Sequence, residues 1–266
     1  MSRWGCRVCS GCGYDLESSD FSRNQWAKGV GLSRCTECVS EDIRSSEDSF
    51  GAARTNNATK LDVNLNKIDA FGEAKYCSYG IYLGGQRTGQ RCVVKWYKDN
   101  GDHFDDDLLA VDKTLKMITQ WNLAFGDEFK VRINIPEKWT INGRNCLVEP
   151  YIDNFFKINS NTGWTVADNS DEILKLQALS HYSYHVSSGQ FLLCDLQGGV
   201  YRDFIVLTDP VIMSKDKRFG PMDLGSRGIS TFFNKHHCNH YCQHHWSQPR
   251  DQQKYFSVTM KTSAVF

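Results

Sequence analysis

Three groups of residues between Phe191 and Cys242 have the types and the spacing to do chemistry. Asp195 and Asp209 are carboxylates, and an amide, Gln197, stands beside the first. Oxygens of this kind suit Mg²⁺, which usually fills its remaining positions with water and substrate phosphate. A glycine-punctuated stretch follows, F-G-P-M-D-L-G-S-R-G from Phe219 to Gly228. Glycines let backbone N–H groups approach an anion closely. Last comes H-H-C-N-H-Y-C at 236–242, a Cys/His cluster with metal-ligand spacing. Hard-oxygen ligands, an anion-tolerant loop and a metal cluster, in that order, point to phosphoryl transfer.

Such groups need a scaffold to bring them together. The run Tyr76–Leu83, a G-G-Q-R-T-G-Q turn and Cys92–Tyr97 read as two strands. The second presents Lys95, which either enters a cleft or points to solvent. Leu108, Val111, Leu115 and Ile118 recur at helical spacing, so 105–122 is expected to be a helix. Asp105, Asp106 and Asp107 sit in its first turn, where the helix dipole favours negative charge, and that accounts for them without a metal. Strands are expected at 131–135 and 146–152. The Glu149-Pro150 pair ends the second one, leaving backbone groups free for an adenine ring or simply marking an edge. A loop over 155–164 and a helix over 171–186 complete the run. On that helix His181 and His185 stand four apart, as a two-histidine metal face or as one packed and one exposed imidazole.

The first forty residues read differently. Cys9-x-x-Cys12 and Cys35-x-x-Cys38 form two knuckles able to hold Zn²⁺ with four sulfurs. Cys6 and Cys9 offer a second register; Gly11 and Gly13 around Cys12 favour the first. This segment resembles a small zinc-ribbon-like module, the Stc1-type domain of fungal proteins, which implies protein–protein contacts; a purely structural staple is the other reading. Residues 41–66 are polar and read as a mobile linker. The 266 residues carry 31 basic and 31 acidic side chains, so no electrostatic footprint for nucleic acid is present. No apolar run long enough for a membrane helix occurs, and the first residues lack an apolar signal core. With eleven cysteines, an odd number concentrated in C-x-x-C pairs, the chain is expected to be intracellular, cytoplasmic or nuclear, with zinc-bound thiolates rather than disulfides.

From about residue 69 to 249 the chain resembles the alpha-kinase family of atypical serine/threonine kinases. The motifs are V-V-K at 93–95, V-E-P-Y-I at 148–152, D-L-Q-G at 195–198, L-T-D-P at 207–210, F-G-P-M-D-L-G at 219–225 and H-H-C-N-H-Y-C at 236–242. Each is short; six in one order are specific. The resemblance implies an α+β, two-lobed kinase-like fold over 67–250 and a tail over 251–266. It implies ATP and Mg²⁺ as cofactors, Zn²⁺ as a structural ion, and a protein hydroxyl as substrate. By the same resemblance Lys95 contacts ATP phosphates, the backbone of Glu149 and Tyr151 meets adenine, and Asp195 is the catalytic aspartate. Gln197 and Asp209 become the Mg²⁺ pair, and the Gly220–Gly225 loop assists the peptide substrate. His181, His236, Cys238 and Cys242 become the zinc ligands, with His237 as an alternative to its neighbour.

The chain departs from the family pattern twice. The turn that covers phosphates is F-G-E-A-K at 71–75, with Gly72 its sole glycine and Lys75 where an arginine is usual. Between Gly198 and Leu207 it carries extra residues that lengthen a hairpin. A nucleotide-binding pseudokinase scaffold and a non-enzymatic zinc-binding interaction module are the rival readings.

Overall fold

A computed structural model of the protein describes residues 5–10, 14–36, 38, 52–125 and 130–264. At the start, β1 (Cys6–Val8) and β2 (Asp15–Glu17) form an antiparallel hairpin, and one turn of helix follows, α1 (Arg23–Ala27), capped by Ser22. A unit this short has little to bury. Its core is Cys9, Phe21, Cys35 and Cys38, with Leu16 and Trp26 packed against them.

β3 (Ala53–Thr55) and β4 (Ala58–Val63) correct the linker expected over 41–66. Residues 41–51 of that stretch lie outside the described residues, and the rest is built into the fold. Ala52, Ala53, Arg54 and Asn56 are buried. The Arg54 guanidinium donates to Asn134 Oδ1 at 3.0 Å and to the carbonyls of Pro150 at 3.3 Å and Tyr151 at 2.9 Å. Those partners lie 80 or more residues away, so a local reading of a polar stretch misses them.

The first lobe is an antiparallel sheet. β5 (Ala70–Phe71) and β6 (Lys75–Gly85) pair around a turn, and β7 (Arg91–Tyr97) follows. After α2 (Phe104–Phe125) come β8 (Lys130–Ile135), β9 (Glu137–Ile141) and β10 (Arg144–Pro150). The strand order is β4-β6-β7-β10-β9, with β5 on β6. Along β6 the side chains alternate, with Ser78, Gly80 and Tyr82 inward and Tyr79, Ile81 and Leu83 outward, as a sheet with one covered face requires. The covered face buries Tyr82, Cys92, Val94, Trp96, Cys146 and Val148.

The second lobe mixes helix and sheet. β11 (Phe156–Lys157) lies inside the stretch expected to be a loop. α3 (Asp171–Val186), β12 (Phe191–Cys194), β13 (Gln197–Val200), β14 (Phe204–Leu207), β15 (Val211–Ser214) and α4 (Gly225–Lys235) follow. One sheet runs β11-β13-β14-β8-β3, with β14, β8 and β3 mutually parallel; β12 and β15 form a separate antiparallel ladder. β14, Phe-Ile-Val-Leu, is buried throughout, as a central strand covered on both faces should be. The result is the α+β, two-lobed architecture expected from the sequence.

Two bends organise this lobe. The chain leaves the β12–β15 ladder, where Cys194 faces Val211, and enters the β13–β14 hairpin, where Gly198 faces Leu207. Asp195 marks the outgoing bend and Asp209 the returning one. Both have left-handed backbones, with φ of 58° and 45°. Aspartate tolerates that region better than most residues, and such conformations concentrate at working sites. The extra residues after Gly198 lengthen the hairpin on the far side of both acids, with Val200 facing Ile205. The stretch expected to be a tail, 251–266, is docked where it is described. Its backbone accepts from Asn234 and Ser230 and donates to Thr231, all on α4.

Candidate active site

Lys95 lies on β7 opposite Leu147 of β10, so Glu149, two residues further along, projects from the same face. The ammonium stands 2.5 Å from Glu149 Oε1, 2.5 Å from Asp209 Oδ2 and 3.2 Å from Thr208 Oγ1. The Thr208 hydroxyl in turn donates to Glu149, at 2.8 and 2.7 Å from its two oxygens. Burial by itself would lower the Lys95 pKa, but the two carboxylates outweigh it and the net shift is upward. Asp209 also meets Lys75 Nζ at 3.6 Å, and that ammonium pairs with Asp107 Oδ2 at 2.7 Å. Asp107, Lys75, Asp209, Lys95 and Glu149 therefore form one chain of alternating charge across the lobes. Burial pushes Asp209 toward the neutral acid, yet Lys95 and Lys75 together hold its pKa down to about 2.

Three features go beyond the sequence reading. Glu149, expected to offer its backbone to adenine, also places its side chain as the buried partner of Lys95. The hinge backbone is largely occupied: the Tyr151 N–H donates to Arg91, and the Pro150 and Tyr151 carbonyls accept from Arg54. Among the described residues the Ile152 N–H is the first after β10 with no hydrogen bond. Asp107, ascribed to the helix dipole alone, fastens Lys75 and accepts from the Tyr97 hydroxyl at 3.0 Å. Gly72 closes the β5–β6 turn through its N–H to the Lys75 carbonyl; a Cβ there would meet nothing within 4 Å, so the glycine leaves the turn open rather than relieving a clash.

Asp195 is buried. Its Oδ1 lies 2.9 Å from Lys157 Nζ, and its Oδ2 accepts from the Thr262 hydroxyl at 2.8 Å. Burial pushes its pKa up; Lys157, Thr262 and the Asn161 N–H oppose the shift without cancelling it. Lys157 sits on β11 opposite Gln197, whose Nε2 donates to the Asp209 carbonyl at 3.3 Å. Sequence reading missed Lys157 because its two-residue strand is too short for any periodicity. The Gly220–Gly225 loop is tied by buried Asp223, which accepts from the Ser214 N–H and Oγ and from the Gly225 N–H at 2.5–2.9 Å. Gly220 has φ of 78°, and a Cβ there would meet the Asp106 carboxylate at 2.8 Å.

The ligand atoms of His181, His236, Cys238 and Cys242 all lie within 4.8 Å of one another. Cys238 Sγ is 3.5 Å from His181 Nδ1 and 3.8 Å from His236 Nε2, and Cys242 Sγ is 3.9 Å from the same Nε2. Zinc bonds of about 2.3 Å to sulfur and 2.0–2.1 Å to nitrogen give tetrahedral edges of about 3.3–3.8 Å, so the four fit that ion. The Ser247 carbonyl lies 3.1 Å from His181 Nε2 and orients the ring with Nδ1 toward the cluster. His237 is outside the group, and His185 instead accepts from the Ser247 N–H at 3.2 Å. In the N-terminal unit Cys9, Cys35 and Cys38 converge, with Cys9 and Cys38 sulfurs 3.8 Å apart. The Cys35 N–H donates to Cys9 Sγ and the Cys38 N–H to Cys35 Sγ, bonds that suit thiolates. Cys12, the expected fourth ligand, lies outside the described residues.

A lysine–glutamate pair within the first-lobe sheet that meets Asp209 of the second lobe, with two acids at the mouth of a hairpin, defines a protein-kinase-like site. Residues 70–242 match the Alpha-kinase family. Alpha-protein kinase vwkA of Dictyostelium discoideum is 41% identical over 181 residues, 66% of this chain and 28% of that protein. Alpha-protein kinase 1 of Mus musculus is 40% identical over 195 residues, 66% of this chain and 16% of that protein. The chain thus spans under a third of the length of these curated relatives. The alpha-kinase domain of myosin heavy chain kinase A in complex with AMP superposes with a TM-score of 0.57 at 24% identity, over 69% of this chain and 88% of that one. An alpha kinase from Entamoeba histolytica gives 0.60 at 23%, over 77% and 85%. The chain belongs to the alpha-kinase family.

Proposed function

We propose that this chain transfers the γ-phosphoryl group of ATP to a serine or threonine hydroxyl of a protein, with Mg²⁺. The observation that carries the reading is the buried Lys95–Glu149 pair running directly into Asp209. Phosphoryl transfer asks a protein mainly for positioning and charge neutralisation. Glu149 and Thr208 hold Lys95 extended toward the cleft, ready to meet phosphate oxygens. Lys75, fastened by Asp107, offers a second cation from the β5–β6 turn. Asp195 accepts the proton of the attacking hydroxyl, and Lys157 beside it steadies the carboxylate. Gln197 Oε1, which has no hydrogen bond among the described residues, and the Asp209 carboxylate are hard-oxygen donors at one edge of the cleft, and these residues would hold the metal. Bound there, Mg²⁺ would neutralise charge on the phosphates. Lys95 and Lys75 both pair with the Asp209 carboxylate, one on each oxygen.

Two structural zinc sites accompany this reading. His181, His236, Cys238 and Cys242 would close one with four protein ligands, leaving no open position for catalysis. Cys9, Cys12, Cys35 and Cys38 would close the other, on a module available to a protein partner. Solved relatives support nucleotide binding: crystal structures hold the alpha-kinase domain of myosin heavy chain kinase A in complex with AMP, with ADP and with AMP-PNP.

The test is incorporation of labelled phosphate into a generic basic protein. Asp195→Ala and Lys95→Ala should each fall by a factor on the order of 10²–10⁴, and EDTA should abolish the signal. Equal incorporation by all three proteins ends the kinase reading. A thermal shift with ATP and Mg²⁺ but no transfer would favour the scaffold reading.

A further inference from the structure

A cavity of about 690 Å³ opens on the cleft face of the first lobe, and one of its walls comes from outside the family domain. Its size suits a small-molecule ligand. β6 and β7 set the face: Lys95 lies opposite Cys77, Val93 opposite Tyr79 and Arg91 opposite Ile81. Residues two apart on a strand share a face, so Arg91, Tyr79 and Ile81 stand on the side from which Lys95 projects. Arg91, four residues from Lys95, is about 13 Å away along the strand. Its guanidinium covers the Tyr151 ring at 3.6 Å, and Tyr151 meets Tyr79 edge to face at 5.2 Å. Flat aromatic and guanidinium surfaces take a purine by stacking. A nucleotide whose phosphates reach Lys95 lays its base at this end, beside the Ile152 N–H, which has no hydrogen bond among the described residues.

Ala27 and Lys28, at the C-terminal end of α1, line this cavity together with Asp62, Tyr79, Arg91 and Tyr151. Both lie well before residue 70, where the family match begins. The N-terminal unit fixes their place from within. The Arg7 guanidinium donates to the Trp26 carbonyl and, at 2.7 Å, to Ser33 Oγ, which donates to the Gly29 carbonyl at 2.7 Å. Arg7 also covers the Trp26 ring at 3.9 Å, and Trp26 packs against Phe21 and the buried cysteines. Asp153 pulls from the other side. It is buried just after the hinge, and its Oδ1 has no hydrogen bond among the described residues. Burial lowers the Lys28 pKa, Arg91 and Arg34 add to that, and Asp153 opposes it. An unpaired buried carboxylate draws a neighbouring ammonium toward it. We propose that the N-terminal unit roofs the base end of the nucleotide cleft, and that Lys28 holds bound nucleotide there, its stem over the base and its ammonium toward Asp153. The inference rests on the cleft being a nucleotide site. Lysine suits the place because its apolar stem can cover a ring while its charged head stays with an acid. Lys28 is a binding residue in this assignment and takes no part in the transfer step.

The experiment measures the affinity of the full chain for AMP-PNP with Mg²⁺ and for adenosine by titration calorimetry, beside steady-state transfer to a generic basic protein. Lys28→Ala should weaken both ligands by the same factor, roughly fivefold for one half-exposed contact. It should raise KM for ATP by that factor and leave kcat within about twofold. Lys28→Arg should stay within about twofold of wild type in all three. In the wild type, amide hydrogen exchange over 25–33 should slow when AMP-PNP is bound. Unchanged affinity in Lys28→Ala overturns the proposal and spares the kinase reading, and exchange over 25–33 that ignores the nucleotide does the same. A loss confined to AMP-PNP overturns the assignment to the base end, since it places Lys28 against phosphate. A fall in kcat with KM unchanged means a merely structural role and also overturns it. A wild type that binds neither ligand removes the kinase reading and this inference with it.

Discussion

At the scale of single residues, the site is governed by which charges are paired and how deeply. Asp209 is depressed to about 2 from an ordinary 3.8 because Lys95 and Lys75 outweigh its burial. A depressed carboxylate stabilises the fold above its unfolded pKa, and the contribution disappears as pH falls through the folded one. With about a third of the side chain in solvent, a discounted contribution is about 1–2 kcal/mol. Wild type should therefore exceed Asp209→Asn by that amount at pH 6, with the two converging as pH drops from about 4 toward 2; urea titrations across that range check it, and a constant difference refutes it. Glu149 is the stronger case, being buried and paired with Lys95 and Thr208. Glu149→Ala leaves the buried Lys95 ammonium with Asp209 as its one carboxylate partner and should cost up to about 3–5 kcal/mol in urea titrations, with Glu149→Gln losing less. Lys95, Asp195, Gln197 and Asp209 were legible in the sequence because each sits in a short motif of fixed order. The role of Glu149 was not, since a strand's main chain and side chain share one letter. Lys157 and Asp107 escaped because only the fold shows what they face.

Elements decide whether those residues meet. The β13–β14 hairpin sets the distance between the two acid-bearing bends, and Gly198 is its tightest point. A Cβ on Gly198 would lie 1.9 Å from the Val206 carbonyl oxygen, a backbone atom with no freedom to yield. Gly198→Ala should open the hairpin and lower both stability and phosphate transfer, whereas Gly72→Ala, at a position with open space, should leave the melting temperature within about 1 °C. A second joint is the proposed zinc cluster, which fastens the 236–242 stretch to α3 through His181. Zinc removal by a chelator should raise amide hydrogen exchange over 236–247 and the last turns of α3 before it affects β6 and β7. Uniform exchange across both lobes would mean the ion holds nothing locally. α2, α3 and the strands β6 and β7 were readable from periodicity to within a few residues, whereas α4 was read as part of a glycine-punctuated loop. β3 and β11 were not, because two or three residues carry no period and take their strand geometry from the partner alone.

For the whole molecule, the family match ends at residues 70 and 242, yet the fold continues on both sides. Before it, β3 adds a parallel strand to β8 in the second lobe and β4 adds an edge to β6 in the first. Arg54, on β3, holds the chain that joins the lobes through the Pro150 and Tyr151 carbonyls and donates to Asn134 of β8. After it, the segment through residue 263 closes over Asp195. A polar composition hid both extensions, since buried hydrogen bonds supply much of their attachment beside a few apolar side chains such as Leu61, Val63 and Phe256. A fragment beginning at residue 67 would leave β6 and β8 with unpaired edges and would empty the space under Arg54. Compared with a fragment beginning at residue 52, it should melt lower by roughly 10 °C or fail to stay soluble, several kcal/mol at about 2–4 °C each for a domain of this size. Matching melting curves for the two fragments would show that β3 and β4 are ornaments on a lobe pair already complete without them, and that the hinge needs no clasp from Arg54.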